Sequence, residues 1–262
     1  MEIERYDDGV PSWVDVQSPD LEKSRAFYAA LLGWEVPPGP EEAGGYSIAT
    51  LRGKNVAGVG PQMNPSAPPA WMTYVNVEDA DATAGKVTAN GGQVFAGPMD
   101  VMEAGRMAVF ADPAGAVFGI WQPNQHLGAQ LVNEPGTWGW SELTTTDTEG
   151  AKAFYAAVFG WGEETHGTGE GAGMDNYTEW KLGGRPIGGM MQKPDTVPAE
   201  VPPFWLVYFA VEDADAAVAR ATDLGGTVMM PPMDIMPGRF AVLTDPVGAV
   251  FSVMAMREAP AS

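Results

Sequence analysis

Two stretches decide the fold: Arg25-Ala-Phe-Tyr-Ala-Ala-Leu-Leu-Gly-Trp34 and Lys152-Ala-Phe-Tyr-Ala-Ala-Val-Phe-Gly-Trp161. They lie 127 positions apart and differ mainly at their leading cation and at two apolar positions. Their Ala, Phe, Leu and Val recur at helical spacing, and Gly33 or Gly160 supplies the left-handed stop. A strand-like run precedes each at the same offset, Trp13-Val-Asp-Val-Gln-Ser-Pro-Asp20 and Trp140-Ser-Glu-Leu-Thr-Thr-Thr-Asp147. Asp20 is placed to cap the first helix, while Thr146 and Glu149 predict a capping box for its counterpart.

The likeness continues outward. Tyr74-Val-Asn-Val-Glu-Asp-Ala-Asp81 matches Tyr208-Phe-Ala-Val-Glu-Asp-Ala-Asp215, and Met99-Asp-Val-Met102 matches Met233-Asp-Ile-Met236. Gly105-Arg106 matches Gly238-Arg239, and Asp112-Pro-Ala-Gly-Ala-Val-Phe118 matches Asp245-Pro-Val-Gly-Ala-Val-Phe251. Offsets here are 133–134, so the second copy carries a few extra residues. The chain is a duplication: a first domain over 8–122, a polar linker over 123–136 with Pro123 and Pro135, and a second domain over 137–257. Pro-rich stretches at 61–69 and 194–203 divide each half again.

Each quarter reads as strand, helix, then two or three strands. In half one the strands fall at 12–17, 46–51, 56–60, 72–77, around Val94, 107–111 and 117–121, with the second helix over 79–90. The class is α+β, with helices covering one face of each sheet and the other face free. Gly167–Gly173 reads as a flexible loop, and Met99, Met102, Met233 and Met236 as loop residues suited to packing or a pocket rim.

Composition narrows the function. With 14 Lys+Arg against 34 Asp+Glu the net charge is −20, which repels phosphate backbones and anionic lipid. Nucleic acid and membrane are not expected partners. There is no Cys, hence no disulfide framework and no thiol catalysis. No run is apolar enough to span a bilayer, and residues 1–5 lack the apolar core of a secretory signal, so a cytoplasmic location is expected. Nucleophile elbow, phosphate loop and dinucleotide fingerprint are all missing from their required contexts.

The joint pattern Asp20…Phe27-Tyr28…Gly33-Trp34, Gly91-Gly92, Gly105-Arg106 and Asp112-Pro113-Ala114-Gly115 resembles the vicinal oxygen chelate superfamily. This is the glyoxalase, bleomycin-resistance and extradiol-dioxygenase group. The pattern recurs at Asp147…Phe154-Tyr155…Gly160-Trp161, Gly225-Gly226, Gly238-Arg239 and Asp245-Pro246-Val247-Gly248, so the resemblance covers nearly the whole chain. It implies four βαβββ modules paired into two cupped-sheet domains. A fused pair has less need to dimerise, so a monomer is expected.

Metal-using relatives place His, Gln or Glu at four cavity-facing strand positions. The resemblance puts these at Trp13, Met72 and Gly119 in half one and Trp140, Leu206 and Ser252 in half two, with the remaining position in 56–60 or 187–191. Neither of those stretches holds an acid or His, and the chain has only two His, His126 and His166. Zinc, iron and manganese need imidazole, carboxylate or thiolate donors, so no metal site and no cofactor are expected.

Strand alternation then selects the residues sharing the cup with position 13: Asp15 and Gln17, joined by Met72 and Tyr74. In half two they are Trp140, Glu142, Thr144, Leu206 and Tyr208. The Trp residues are candidates to stack on a planar ligand or to plug the vacated metal site as core. Asp15 and Glu142 are candidates for ligand contact, for general-base catalysis, or for ion pairs with Arg106 and Arg239, which are themselves candidate ligand contacts. Trp71 and Trp205 face the opposite way. Three readings follow: metal-independent binding of a hydrophobic, aromatic small molecule, as in antibiotic sequestration; a metal-free isomerase, cyclase, lyase or hydroxylase-type enzyme of polyketide-like metabolism; and a non-catalytic accessory protein.

Overall fold

All four α-helices among the described residues begin at an aspartate. Asp20, Asp79, Asp147 and Asp213 each accept a hydrogen bond from the backbone N–H three residues on, at Lys23, Ala82, Gly150 and Ala216. Each cap satisfies one of the orphan donors at a helix start. The helices are α1 (Leu21–Leu32), α2 (Ala80–Ala89), α3 (Thr148–Phe159) and α4 (Ala214–Asp223). Gly33 and Gly160 stop α1 and α3 at φ +75° and +73°. The expected Thr146–Glu149 capping box is not formed. Asp147 is the cap, and Glu149 pairs with Lys152 instead at 2.9 Å.

The computed structural model describes residues 1–167 and 176–257, so most of the Gly-rich stretch 167–173 lies outside the described residues. Half one contributes β1 (Pro11–Ser18), β2 (Ser47–Leu51), β3 (Lys54–Pro61), β4 (Ala70–Asn76), β5 (Gln93–Val101), β6 (Gly105–Ala111) and β7 (Val117–Pro123). Half two contributes β8 (Trp138–Thr145), β9 (Gly162–Thr165), β10 (Thr178–Leu182), β11 (Arg185–Gln192), β12 (Phe204–Ala210), β13 (Thr227–Ile235), β14 (Gly238–Thr244) and β15 (Val250–Met256). Each half builds one mixed sheet, in the orders β2-β3-β1-β4-β7-β6-β5 and β9-β10-β11-β8-β12-β15-β14-β13. The two modules of a half meet at a central antiparallel pair, β1 with β4 and β8 with β12.

The fold is α+β with two such domains in one chain. Three modules are complete βαβββ units. In the first, the strand equivalent to β9 shrinks to a single bridge between Glu35 and Thr50. The chain there reads Val36-Pro37-Pro38-Gly39-Pro40, and three prolines remove the N–H donors that a ladder needs. Met99 and Met233 lie within strands β5 and β13 rather than on loops. These two strands close one end of each sheet and leave both methionines exposed.

The two halves do not own separate cores. One cluster joins Phe27 and Tyr28 of α1 and Trp71 of β4 to Val207, Phe209 and Phe251 of half two. The other joins Phe154 and Tyr155 of α3 and Trp205 of β12 to Val75, Phe110 and Phe118 of half one. Burying one such Phe contributes on the order of 2–3 kcal/mol, and each cluster holds several. The repeat boundaries 8–122 and 137–257 therefore do not mark independent hydrophobic cores. The linker is also more than a polar spacer: Ala129, Leu131 and Val132 are buried. It is bonded to β1 through Ala129 N–H to Ser12 O at 2.8 Å, and to the first residues through Ile3 N–H to Gln130 O at 3.0 Å.

Polar bonds cross the same seam reciprocally. The Tyr28 hydroxyl donates to Asp245 Oδ2 at 3.1 Å, and the Tyr155 hydroxyl donates to Asp112 Oδ2 at 3.1 Å. Within each half these tyrosines are held in turn, Trp71 Nε1 donating to Tyr28 at 2.8 Å and Trp205 Nε1 to Tyr155 at 3.1 Å. Trp34 Nε1 donates to Gly136 O, and Trp161 Nε1 to Gly9 O, each at 2.6 Å. We predict that the halves unfold as one unit. Tyr28→Phe should lower stability by about 1–3 kcal/mol, the usual cost of leaving a buried acceptor short of a donor. Calorimetry should show one transition in both proteins, and two separable transitions would contradict the shared core.

Candidate functional site

Strand alternation places Trp13, Asp15 and Gln17 on the face of the first sheet opposite its helices, beside Met72 and Tyr74 of β4. Trp13 is registered against Tyr74, and Asp15 against both Met72 and Gly58. Val14 and Val16 point the other way and are fully buried. Half two repeats the arrangement with Trp140 against Tyr208, and Glu142 against Leu206 and Gly189, while Thr144 is buried one step along the same face.

Within each cup the side chains form a hydrogen-bonded chain. In cup one, Trp13 Nε1 donates to the Tyr46 hydroxyl at 2.9 Å, and that hydroxyl donates to Asp15 Oδ2 at 3.0 Å. Gln17 Nε2 donates to Asp15 Oδ1 at 3.0 Å, and Tyr74 is also hydrogen-bonded to Asp15. In cup two, Trp140 Nε1 donates to the Tyr177 hydroxyl at 2.9 Å, and Tyr208 donates to Glu142 Oε1 at 3.0 Å. Tyr177 is bonded to Glu142 as well. Asp15 and Glu142 are almost fully buried, at 3% and 6% exposed. Burial pushes the Asp15 carboxyl up to about 6, against the opposing pull of its three donors. Glu142 is raised for the same reason.

Tyr46 and Tyr177 are cup residues that the sequence reading does not name: Tyr46 opens the strand expected over 46–51, but β2 begins at Ser47 and β10 at Thr178, so each sits just before its strand. Their signal is the repeat itself: the chain has seven Tyr, and all but Tyr6 fall into the pairs 28/155, 46/177 and 74/208. Glycines make room for the rings. A Cβ at Gly58 would collide with the Tyr46 hydroxyl, one at Gly189 with the Tyr177 hydroxyl, and one at Gly119 with the Tyr74 ring. Thus positions 58, 119 and 189, which face the cup, are occupied by a neighbour's aromatic ring.

Arg106 and Arg239 belong elsewhere. Along β6, Arg106 shares a face with Ala108 and Phe110, which pack against Val87 of α2. Its guanidinium pairs with Asp100 at 2.7 Å and Asp81 at 3.0 Å. Arg239 pairs with Asp215 at 2.6 Å and Asp234 at 3.3 Å. Both arginines therefore tie a strand hairpin to a helix start on the outer face, and neither reaches Asp15 or Glu142. Trp71 and Trp205 face the inter-half core, stacked edge-on against Tyr28 and Tyr155.

The cups differ at their mouths. Linker residue His126 packs edge-on against Trp13, with ring centroids 4.3 Å apart, and also contacts Trp121. Burial lowers its pKa to about 4, and its Nε2 has no hydrogen-bond partner among the described residues.

A profile described as the Glyoxalase/Bleomycin resistance protein/Dioxygenase superfamily matches residues 11–120 and 127–253. The chain belongs to this superfamily. It is 48% identical over 256 residues to "Putative glyoxylase CFP32" of Mycobacterium tuberculosis, covering 95% of each chain. It is 40% identical over 274 residues to "Anthracycline biosynthesis protein DnrV" of Streptomyces peucetius, covering 97% of this chain and 96% of the other. Among solved structures, the Mn(II)-bound glyoxalase from Novosphingobium aromaticivorans matches with TM-score 0.64 at 15% identity, over 96% of this chain and 84% of that one. The 2,3-dioxygenase LapB from Pseudomonas sp. KL28 matches with TM-score 0.62 at 14% identity, over 94% and 92%.

The first of these structural neighbours holds manganese, and the donors present here do not fit such an ion. Among the described residues no group of three or more His, Cys, Asp or Glu converges. Each cup offers one carboxylate, already engaged by tyrosine hydroxyls, beside indole, thioether, alkyl and glycine. In half two the Ser252 hydroxyl donates to Ala241 O at 2.8 Å.

The raised Asp15 pKa has a signed consequence for stability. The folded carboxyl holds its proton up to about pH 6, whereas an aspartate of the unfolded chain releases it near its ordinary value of about 3.9. The stability this contributes is full below about pH 4 and is lost as pH rises through 6. Wild type should therefore lose stability relative to Asp15→Asn between about pH 4 and 6.5, with a constant gap above. Thermal midpoints of both proteins across that range would show it; a pH-independent gap would mean that Asp15 titrates alike in the folded and unfolded chain.

Proposed function

We propose that this chain binds a planar, largely apolar aromatic small molecule without a metal ion. The observation that carries this is the Trp–Tyr–carboxylate chain built twice, Trp13–Tyr46–Asp15 and Trp140–Tyr177–Glu142, each starting at the Trp that stands where the resemblance puts a metal ligand. An indole and two phenol rings give flat apolar walls, and one carboxylate gives a fixed polar point. That mixture suits an organic ligand. The 40% identity to an anthracycline biosynthesis protein supports a polyketide-type aromatic as the ligand class.

A second reading rests on the same carboxylates. A group with a pKa near 6 beside a tyrosine hydroxyl is poised for proton transfer at neutral pH. In an isomerase, cyclase or lyase reaction Asp15 or Glu142 would take a proton, and Tyr74 or Tyr208 would give one.

Tryptophan fluorescence titrated with planar polycyclic aromatics, with mass spectrometry of the recovered ligand, separates the readings. Saturable quenching with the ligand returned unchanged is expected for binding. A changed product, with turnover falling at least about 100-fold in Asp15→Asn or Glu142→Gln, would establish the acid–base enzyme. No response to any polycyclic aromatic would overturn both.

A further inference from the structure

The duplicated cups are not equally accessible. In half one Trp13, Asp15 and Tyr74 are each 3% exposed, and the linker lays His126 across Trp13. Trp140, the counterpart of Trp13, is only half-buried. It lines a cleft of about 290 Å³ at the seam between the first residues and strands β8 and β11. Tyr6, Trp138 and Ile187 supply further apolar wall, and Arg5 and Arg185 stand among the lining residues.

The charge of this cleft runs against the rest of the molecule. The whole chain has 34 acidic residues against 14 basic ones, whereas two arginines line the cleft against one acid, Asp7. Arg185 and Asp7 form an ion pair at 2.6 Å, but both side chains are more than two-thirds exposed. Such a pair contributes little and is readily exchanged. Repulsion from the remaining acids is damped beyond about 8–10 Å at physiological salt, so the nearby guanidinium groups set the preference. The guanidinium fork matches a carboxylate. The volume lies at the small end of organic-ligand pockets, about 300–1,000 Å³, and fits two fused rings or the two-ring end of a larger molecule.

We infer that the second half alone takes the ligand, in the cleft beside Trp140, and that the ligand is an aromatic anion held by Arg185 and Arg5. The inference rests on the planar-aromatic reading above and narrows it to one site and one charge class. Behind the cleft, Trp140 connects through Tyr177 to Glu142, so ligand contact with the indole is passed to the buried carboxylate.

The test uses the full chain with 2-naphthoate and its neutral isostere 2-naphthamide, followed by calorimetry and by indole N–H resonances assigned with Trp140→Phe. One naphthoate per chain is expected, shifting the Trp140 indole, with the amide at least fivefold weaker. Arg185→Gln should bring naphthoate down to the amide's affinity. Two equivalents, a shift centred on Trp13, or equal affinity for acid and amide would overturn the inference while leaving the planar-aromatic reading standing. So would failure of both naphthalenes when larger polycyclic aromatics bind. Failure of every aromatic overturns both.

Discussion

The structure depends on how one aspartate in each half divides its two oxygens. Asp112 Oδ1 accepts the backbone N–H groups of Ala114, Gly115 and Ala116, closing the turn between β6 and β7. Asp112 Oδ2 accepts the hydroxyl of Tyr155 from the other half. Asp245 does the same with Val247, Gly248, Ala249 and Tyr28. A local turn and a long-range seam thus share one carboxylate. Burial raises the pKa of both aspartates, so without these donors a charge at either site would be costly. Because the seam buries Trp71 and Trp205 on the helical face of their strands, the opposite faces are left to form the two cups.

What fills those cups follows from a second exchange. A metal site needs several strong donors pointing inward, whereas these strands offer glycine at 58, 119 and 189 and an indole at 13 and 140. The space above the glycines is taken by Tyr46, Tyr74 and Tyr177, whose hydroxyls converge on the remaining carboxylate. Three neutral donors stabilise the ionised form of Asp15 without cancelling the desolvation that opposes it, which is why its pKa settles near 6. The fold shared with the Mn(II)-bound glyoxalase is thereby combined with an interior of indole and phenol rings around one carboxylate.

Much of this is legible in the chain. The duplication, the aspartate cap of α1, the glycine stops and the cup face of β1 and β8 all follow from residue pattern, because period and turn chemistry act locally. Three features did not. Tyr46 and Tyr177 enter the cups from the residue before β2 and β10, one position ahead of the strand start expected at Tyr46, and their shared repeat position is the signal that marks them. Arg106 and Arg239 looked like partners for the cup carboxylates, but the parity of β6 and β14 turns them to the helix side. The cross-half cores need the docking of two sheets, and no single repeat encodes that. The short β9 equivalent in half one was readable from its prolines but is overshadowed by the strength of the repeat.

The most direct test of the central claim is a titration of chelator-treated full-length protein with Mn(II) and Zn(II), followed by calorimetry and by tryptophan emission. The account predicts no stoichiometric site at micromolar metal and no change in the emission of Trp13 or Trp140. One tight equivalent per half, lost in Asp15→Asn and Glu142→Gln, would contradict it and return these cups to metal chemistry.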